Sequence, residues 1–274
     1  MVKQSAHLSS GAPKPCRHCA PTLQLWDSPI SLNVMKKSAM AIMLLLRAAA
    51  DEPNRQAASP LPTGYRLVFE QHFDSAECLI DLRSTDPGAW RWSDDGQSRA
   101  LELQRQSQYQ PKFRSPINIA LIGDQWFGDF TLEVDLLQTG KEYGHRDMCL
   151  FYGVKDAEHF YYTHIATKAD PNAHNTFIVN GASRKNFAHQ TTLGVNWGLG
   201  VWHHVRLERK LSDGTIRVFF DDMTQPIMEA VDKSFGSGWI GIGSFDDTGK
   251  VDNLRIWSPT APGSKAVTFF KRLE

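Results

Sequence analysis

The sequence predicts an all-β fold, a sandwich or a barrel, and three observations carry that expectation. Short runs rich in aromatic and β-branched residues recur between positions 65 and 257, several of them alternating apolar and polar, with turn signals between them. No stretch keeps a long, capped 3.6-residue apolar period. No fixed repeat marks a solenoid. The 274 residues suffice for one large sandwich or two small domains, and a composition 41% hydrophobic and 11% aromatic supplies a packed core.

The first predicted strand covers 65–69. The next, 129–136, alternates cleanly: Phe130, Leu132, Val134 and Leu136 point one way, Glu133 and Asp135 the other. Strands then follow at 148–154, 159–166, 176–180, 202–209, 215–221, 238–243 and 251–257. Residues 210–214 form a hairpin connection with Asp213-Gly214 at its turn. Trp202, Val205, Leu207, Val218, Phe220, Ile240, Ile242, Leu254 and Ile256 are the expected core. On the 159–166 strand, Phe160, Tyr162 and His164 share one face and Tyr161 takes the other.

Residues 1–63 read as a leader. Lys36-Lys37, an apolar run over 39–46 and the small residues Ala48-Ala49-Ala50 describe a signal peptide over 35–50, too short to span a bilayer. Arg47 departs from that pattern. We take Met35 as the start, residues 1–34 as an upstream extension, and the mature chain as beginning near Asp51. The expected location is secreted or periplasmic; the competing reading is a short leader on a cytosolic protein. Residues 51–63 are polar and Pro-rich, as in a linker. The folded unit is expected over 64–258, followed by a tail, 259–274, in which Val267-Thr268-Phe269-Phe270 is apolar enough to dock.

Lys+Arg and Asp+Glu both number 30. That balance argues against a nucleic-acid partner and against a polybasic membrane surface. Cys16 and Cys19 form a lone C-x-x-C without the second pair that zinc requires. Cys78 and Cys149 either pair in an oxidising compartment or stay as two buried thiols.

Several segments in order resemble the concanavalin A-like lectin/glucanase superfamily, including its laminin-G-like and family-16-like glycoside hydrolase members and the 3-keto-disaccharide hydrolase-type domain. They are Asp129-Phe130-Thr131-Leu132-Glu133-Val134-Asp135, the strand Trp202 to Arg209, the hairpin arm Asp213 to Asp221, and the closing pair Gly238 to Ser244 and Val251 to Ile256. The resemblance implies an antiparallel jelly-roll β-sandwich. Because this fold hosts lectins, hydrolases, lyases and inert modules, it does not settle activity.

Glycoside hydrolysis ordinarily needs two carboxyl groups. The family-16 signature Glu-x-Asp-x-Glu is met here by Glu133 and Asp135, but Leu137 occupies the third position, which argues against that catalysis. The denser constellation lies between 143 and 186. His145, Arg146, Tyr161, His174 and Arg184 are the candidate substrate-binding residues and His164 the candidate base, with Tyr143 and Asp147 beside them. Aromatic rings stack on sugars, and guanidinium groups hold carboxylates. Imidazole titrates near neutrality. The expected partner is an oligosaccharide or polysaccharide, bound and in one reading cleaved, hydrolase- or lyase-fashion. The alternative is a non-catalytic carbohydrate-binding or adhesion module. By resemblance, a structural calcium is expected between the terminal strands, held by Glu70, Asp74 and Asp252, with Asp246-Asp247 close by.

Overall fold

The structure is a computed structural model that describes residues 60–273 apart from Gln97. The signal-peptide segment, the Cys16/Cys19 pair and most of the linker lie outside the described residues.

Two antiparallel sheets pack face to face. The first, nine-stranded, runs in the order Ala188–Thr191, Met228–Val231, Thr215–Phe220, Trp202–Arg209, Phe130–Gln138, Gly249–Ser258, Arg99–Leu103 and Trp90–Asp94, with Arg66–Gln71 also paired to Gly249–Ser258. The second, eight-stranded, runs Lys185–Asn186, Asn175–Asn180, His159–Ala166, Asp147–Asp156, Trp239–Ser244, Asn118–Ile122, Leu82–Ser84 and Lys271–Arg272. Among the described residues the helical elements are two short 3-10 turns, and no helix is long and apolar enough to cross a membrane.

Strand parity decides what each sheet buries. Leu132, Val134, Leu136, Val205, Leu207, Val218, Leu254 and Ile256 of the first sheet meet Leu150, Tyr152, Tyr161, Ile165, Ile240 and Ile242 of the second in one core. Such alternation buries every second residue against the facing sheet. Two expected core residues depart from it. Trp202 has the opposite parity to Val205 and is half-buried, and Phe220 lies at the core's margin, stacked on His203 at 4.5 Å. The hairpin turn forms as expected, with Gly214 at φ +82° donating its N–H to the Lys210 carbonyl at 3.0 Å.

The second sheet is buried on its outer face too. Ile119, Leu121, Cys149, Phe151, Phe160, Tyr162, Phe177, Val179 and Trp239 form a second apolar cluster there, closed by Val267 of the tail. Phe269 packs edge-on to Trp239, and the Trp239 indole N–H donates to the Lys265 carbonyl at 2.8 Å. Cys78 lies in the inter-sheet core and Cys149 on this outer face; both are free thiols, which settles the choice between a disulfide and two separate buried cysteines. Burial pushes the Cys78 thiol up to about 11.

Candidate functional site

On the outer face of the second sheet, aromatic side chains form a ladder. Phe151 stacks on Tyr162 at 5.9 Å and Tyr162 on Phe177 at 5.1 Å. The Arg184 guanidinium continues it, 4.7 Å from the Phe177 ring and 4.2 Å from Phe245, and donates to the Tyr162 hydroxyl at 2.8 Å. Arg114 lies over the same Phe245 ring at 5.6 Å, and the Arg184 backbone N–H donates to the Arg114 carbonyl at 3.1 Å. The arrangement grows from register: the pairs Cys149↔His164 and Phe151↔Tyr162 put these side chains on one face of adjacent strands.

Asp147 forms the floor beside the ladder. Its Oδ2 accepts from the Phe245 N–H at 2.8 Å and the Cys149 thiol at 3.1 Å, and His164 Nε2 stands 3.4 Å away. His164 Nδ1 accepts the His174 backbone N–H at 3.2 Å, so the ring proton sits on Nε2, facing Asp147. Burial pushes the Cys149 thiol well above its ordinary range, and the Asp147 charge adds to it. Above the floor stand Asp246, which is exposed, and Asp247, whose Oδ2 accepts the Tyr143 hydroxyl at 2.9 Å and the Asp147 N–H at 3.0 Å. Burial, with Asp147 nearby, pushes Asp247 up to about 7.

The residues expected to border one groove are thus divided. His164 and Arg184 do meet, both against Phe177 and Phe245. His145 is exposed nearby and holds Asp170 at 2.5 Å. Arg146, 2% exposed, is engaged by the Gln138 side chain, the Gln138 carbonyl and the Gly198 carbonyl. It ties loops together and offers nothing to a ligand. Tyr161 lies on the inter-sheet face, its hydroxyl bonded to Asp232 and accepting the Phe235 N–H. His174 is wholly buried at φ +48°; Nδ1 accepts the Ala166 N–H and Nε2 donates to Thr192, and burial holds it down at about 4. The six therefore do not converge on one surface. His164 also lacks the free lone pair of a base.

Glu133 and Asp135 sit on the outer face of the other sheet, so the three expected catalytic side chains are separated by the whole sandwich. Glu133 is buried against Arg206 at 2.5 Å, and Asp135 accepts from His204 at 2.7 Å and from Asn253 at 2.8 Å. Near them a groove of about 510 Å³ is lined by His72, Asp74, Asp94, Gly96, Ser98, Arg99 and Asp252. Glu70 is not among the residues lining that groove, and its Oε1 is held by Arg255 at 2.9 Å and His72 at 3.0 Å. Asp74 and Asp252 share the groove. Burial, reinforced by Asp135 and Asp74, raises Asp252 to about 6. Of the three carboxylates expected to hold calcium, Asp74 and Asp252 line one groove and Glu70 is held by Arg255 and His72.

Phe245 and Arg114 were not legible as part of a site, whereas Asp147 already stood beside the candidate residues. Parity was the available signal for Asp147: it alternates with the core residues Met148, Leu150 and Tyr152, on the same side as Cys149 and Phe151. Phe245 and Arg114 reach the site through pairings that no local pattern encodes.

No protein-family model matches the chain, and none of the curated proteins does. Solved structures do match. A mutant of the GH43 protein BlXynB from Bacillus licheniformis is 10% identical at a TM-score of 0.50, covering 74% of this chain and 41% of its own. The carbohydrate-binding module CBM66 from Bacillus subtilis is 17% identical at 0.46, covering 65% and 96%. Winged bean acidic lectin, complexed with methyl-α-D-galactose, is 12% identical at 0.46, covering 73% and 99%. At such identities the likeness is one of fold alone, an antiparallel jelly-roll sandwich.

Proposed function

We propose that the protein binds an acidic oligosaccharide or polysaccharide at the Arg114–Arg184–Phe245 end of the second sheet, as a secreted or periplasmic module. One observation carries this reading: two guanidinium groups lie over one half-buried ring, 4.2 and 5.6 Å from its centre, at the end of an aromatic ladder. A guanidinium presents paired donors to a carboxylate, and Tyr143, 44% exposed, offers a ring for the apolar face of a sugar. Binding is favoured over cleavage because both His164 nitrogens are engaged and Glu133 and Asp135 lie on the far side.

The test is calorimetric titration with uronate-containing and neutral oligosaccharides. Uronate binding is expected, weakened about tenfold or more by Arg114→Ala, in line with ~1.5–3 kcal/mol for a charged hydrogen bond. Arg184→Lys serves where Arg184→Ala disturbs the ladder. Affinity unchanged in Arg114→Ala/Arg184→Lys, or equal for neutral glycans, rules the site out.

A further inference from the structure

We propose that Asp147, Asp246 and Asp247 hold one divalent cation of the hard, oxygen-preferring class, calcium foremost. The three residues each offer a carboxylate oxygen, and these oxygens lie within 4.8 Å of one another. Two oxygens that bind one calcium ion at about 2.4 Å each stand no more than about 4.8 Å apart, so one ion can reach all three. Asp147 lies at the end of the Asp147–Asp156 strand, and Asp246 and Asp247 in the loop between Trp239–Ser244 and Gly249–Ser258, so a cation would tie neighbouring strands of the two sheets at this edge.

The second, independent observation concerns Asp147 itself. Its side chain is fully buried, and its Oδ1 has no hydrogen-bond partner. Oδ2, by contrast, faces three donors: the Phe245 N–H, the Cys149 thiol and the His164 Nε2–H. Those donors fix the carboxylate's orientation and leave Oδ1 as the oxygen free to bind. A buried, unpartnered carboxylate oxygen is costly, and native structures seldom leave one without an ion or water. Among the described residues, no lysine or arginine forms an ion pair with any of the three. Their mutual repulsion is therefore uncompensated by a direct cationic contact.

The surrounding bonds pre-set the geometry. Asp147 N–H donates to Asp247 Oδ2 while Phe245 N–H donates to Asp147 Oδ2, a reciprocal tie across the two segments. Ser244 Oγ and Asn118 Nδ2 both donate to the Asp247 carbonyl, at 2.6 and 3.1 Å, and hold the loop in place. Asp246 is exposed, leaving one side open for water to complete the six to eight oxygens calcium takes.

Donor chemistry decides the class of metal. Cys149 and His164 also lie within reach of Asp147. Both turn their hydrogens toward its Oδ2, and His164 Nδ1 is occupied by the His174 N–H. They orient a ligand rather than serve as ligands, which disfavours zinc and other soft-ligand metals. The proposal is independent of the glycan reading.

The experiment uses the full chain stripped with chelator. Terbium, a luminescent stand-in for calcium, should be sensitised through Tyr143, which bonds directly to Asp247. Calcium should displace it, and calorimetry should show one equivalent bound at ~0.1–1 mM or tighter, the range of extracellular calcium modules. Asp246→Asn, an exposed change, should weaken calcium about tenfold or more while leaving the circular dichroism in chelator unchanged. Asp147→Asn and Asp247→Asn should abolish binding where they fold. No heat and no emission at millimolar metal, or wild-type affinity in Asp246→Asn, overturns the site. Zinc bound in preference to calcium overturns the ligand assignment.

Discussion

His204 stands between two carboxylates, Nδ1 2.7 Å from Asp135 and Nε2 3.6 Å from Glu133. Burial opposes its charge, but the hydrogen bonds to Asp135 and Glu133 outweigh burial and raise it from 6.5 to about 9. The sign follows from linkage: the folded state binds this proton more tightly than the unfolded chain, so the stabilisation is complete below pH 6.5 and fades as pH rises through 9. His204→Gln should therefore lower the melting temperature clearly below pH 6.5, and the gap to wild type should close above pH 9. A gap independent of pH would show that the imidazolium is not its source. The sequence offered Glu133 and Asp135 as two positions of a carboxylate signature on one strand face. It could not show that Arg206 and His204, on a strand some seventy residues later, would lie across from them in register. His174 teaches the same lesson: residue type suggested a ligand-facing imidazole, and hydrogen bonds with the Ala166 N–H and the Thr192 hydroxyl made it a brace in a turn.

At the scale of elements, the long central strands were legible because alternation is a local property. The strands 159–166 and 202–209 start and end where expected, and the others are shifted by one or two residues at their ends. Asn118–Ile122 was not seen. All five of its residues are buried, so it lacks the apolar–polar alternation that reveals a strand with one wet face. Gly243, which pairs with both Cys149 and Ile119, shows why the closing strand carries glycine. A Cβ there would stand 1.9 Å from the Asn118 carbonyl oxygen and 3.2 Å from the Phe151 ring. The glycine leaves room for the ladder's first ring, Phe151, and for the neighbouring strand. Gly243→Ala should cost ~3 kcal/mol or more, at or above the usual overpacking range, because backbone must move. Gly236→Ala, where nothing lies within 4 Å, is the control and should change chemical denaturation little. Equal midpoints for the two variants would contradict the close approach.

For the whole molecule, the class of fold was legible and the division of the site was not. Parity alone places Glu133 opposite Leu132 and His164 opposite Ile165, but which sheet a strand joins depends on long-range pairing, and that choice put the two residues on opposite outer surfaces. The tail carries a further consequence of two-sided burial. Gly263–Ser264 pairs with Gln125–Trp126, Lys271–Arg272 pairs with Leu82–Ser84, and between them Val267 and Phe269 cover the outer aromatic cluster while Leu273 enters the inter-sheet core. Burying a side chain of this kind contributes ~1.5–3 kcal/mol, so Val267 and Leu273 alone account for roughly 3–6 kcal/mol, a large share of the ~5–15 kcal/mol typical of a domain. A chain ended after Ser258 should therefore melt well below the full protein and bind the apolar dye ANS, because Trp126, Trp239 and the edge of the ladder lose their cover. Val267→Ala with Leu273→Ala should reproduce part of the loss with the tail still present. An unchanged melting temperature and no dye binding in the shortened chain would mean that the sandwich ends where its last long strand does, and that the tail merely rests on it.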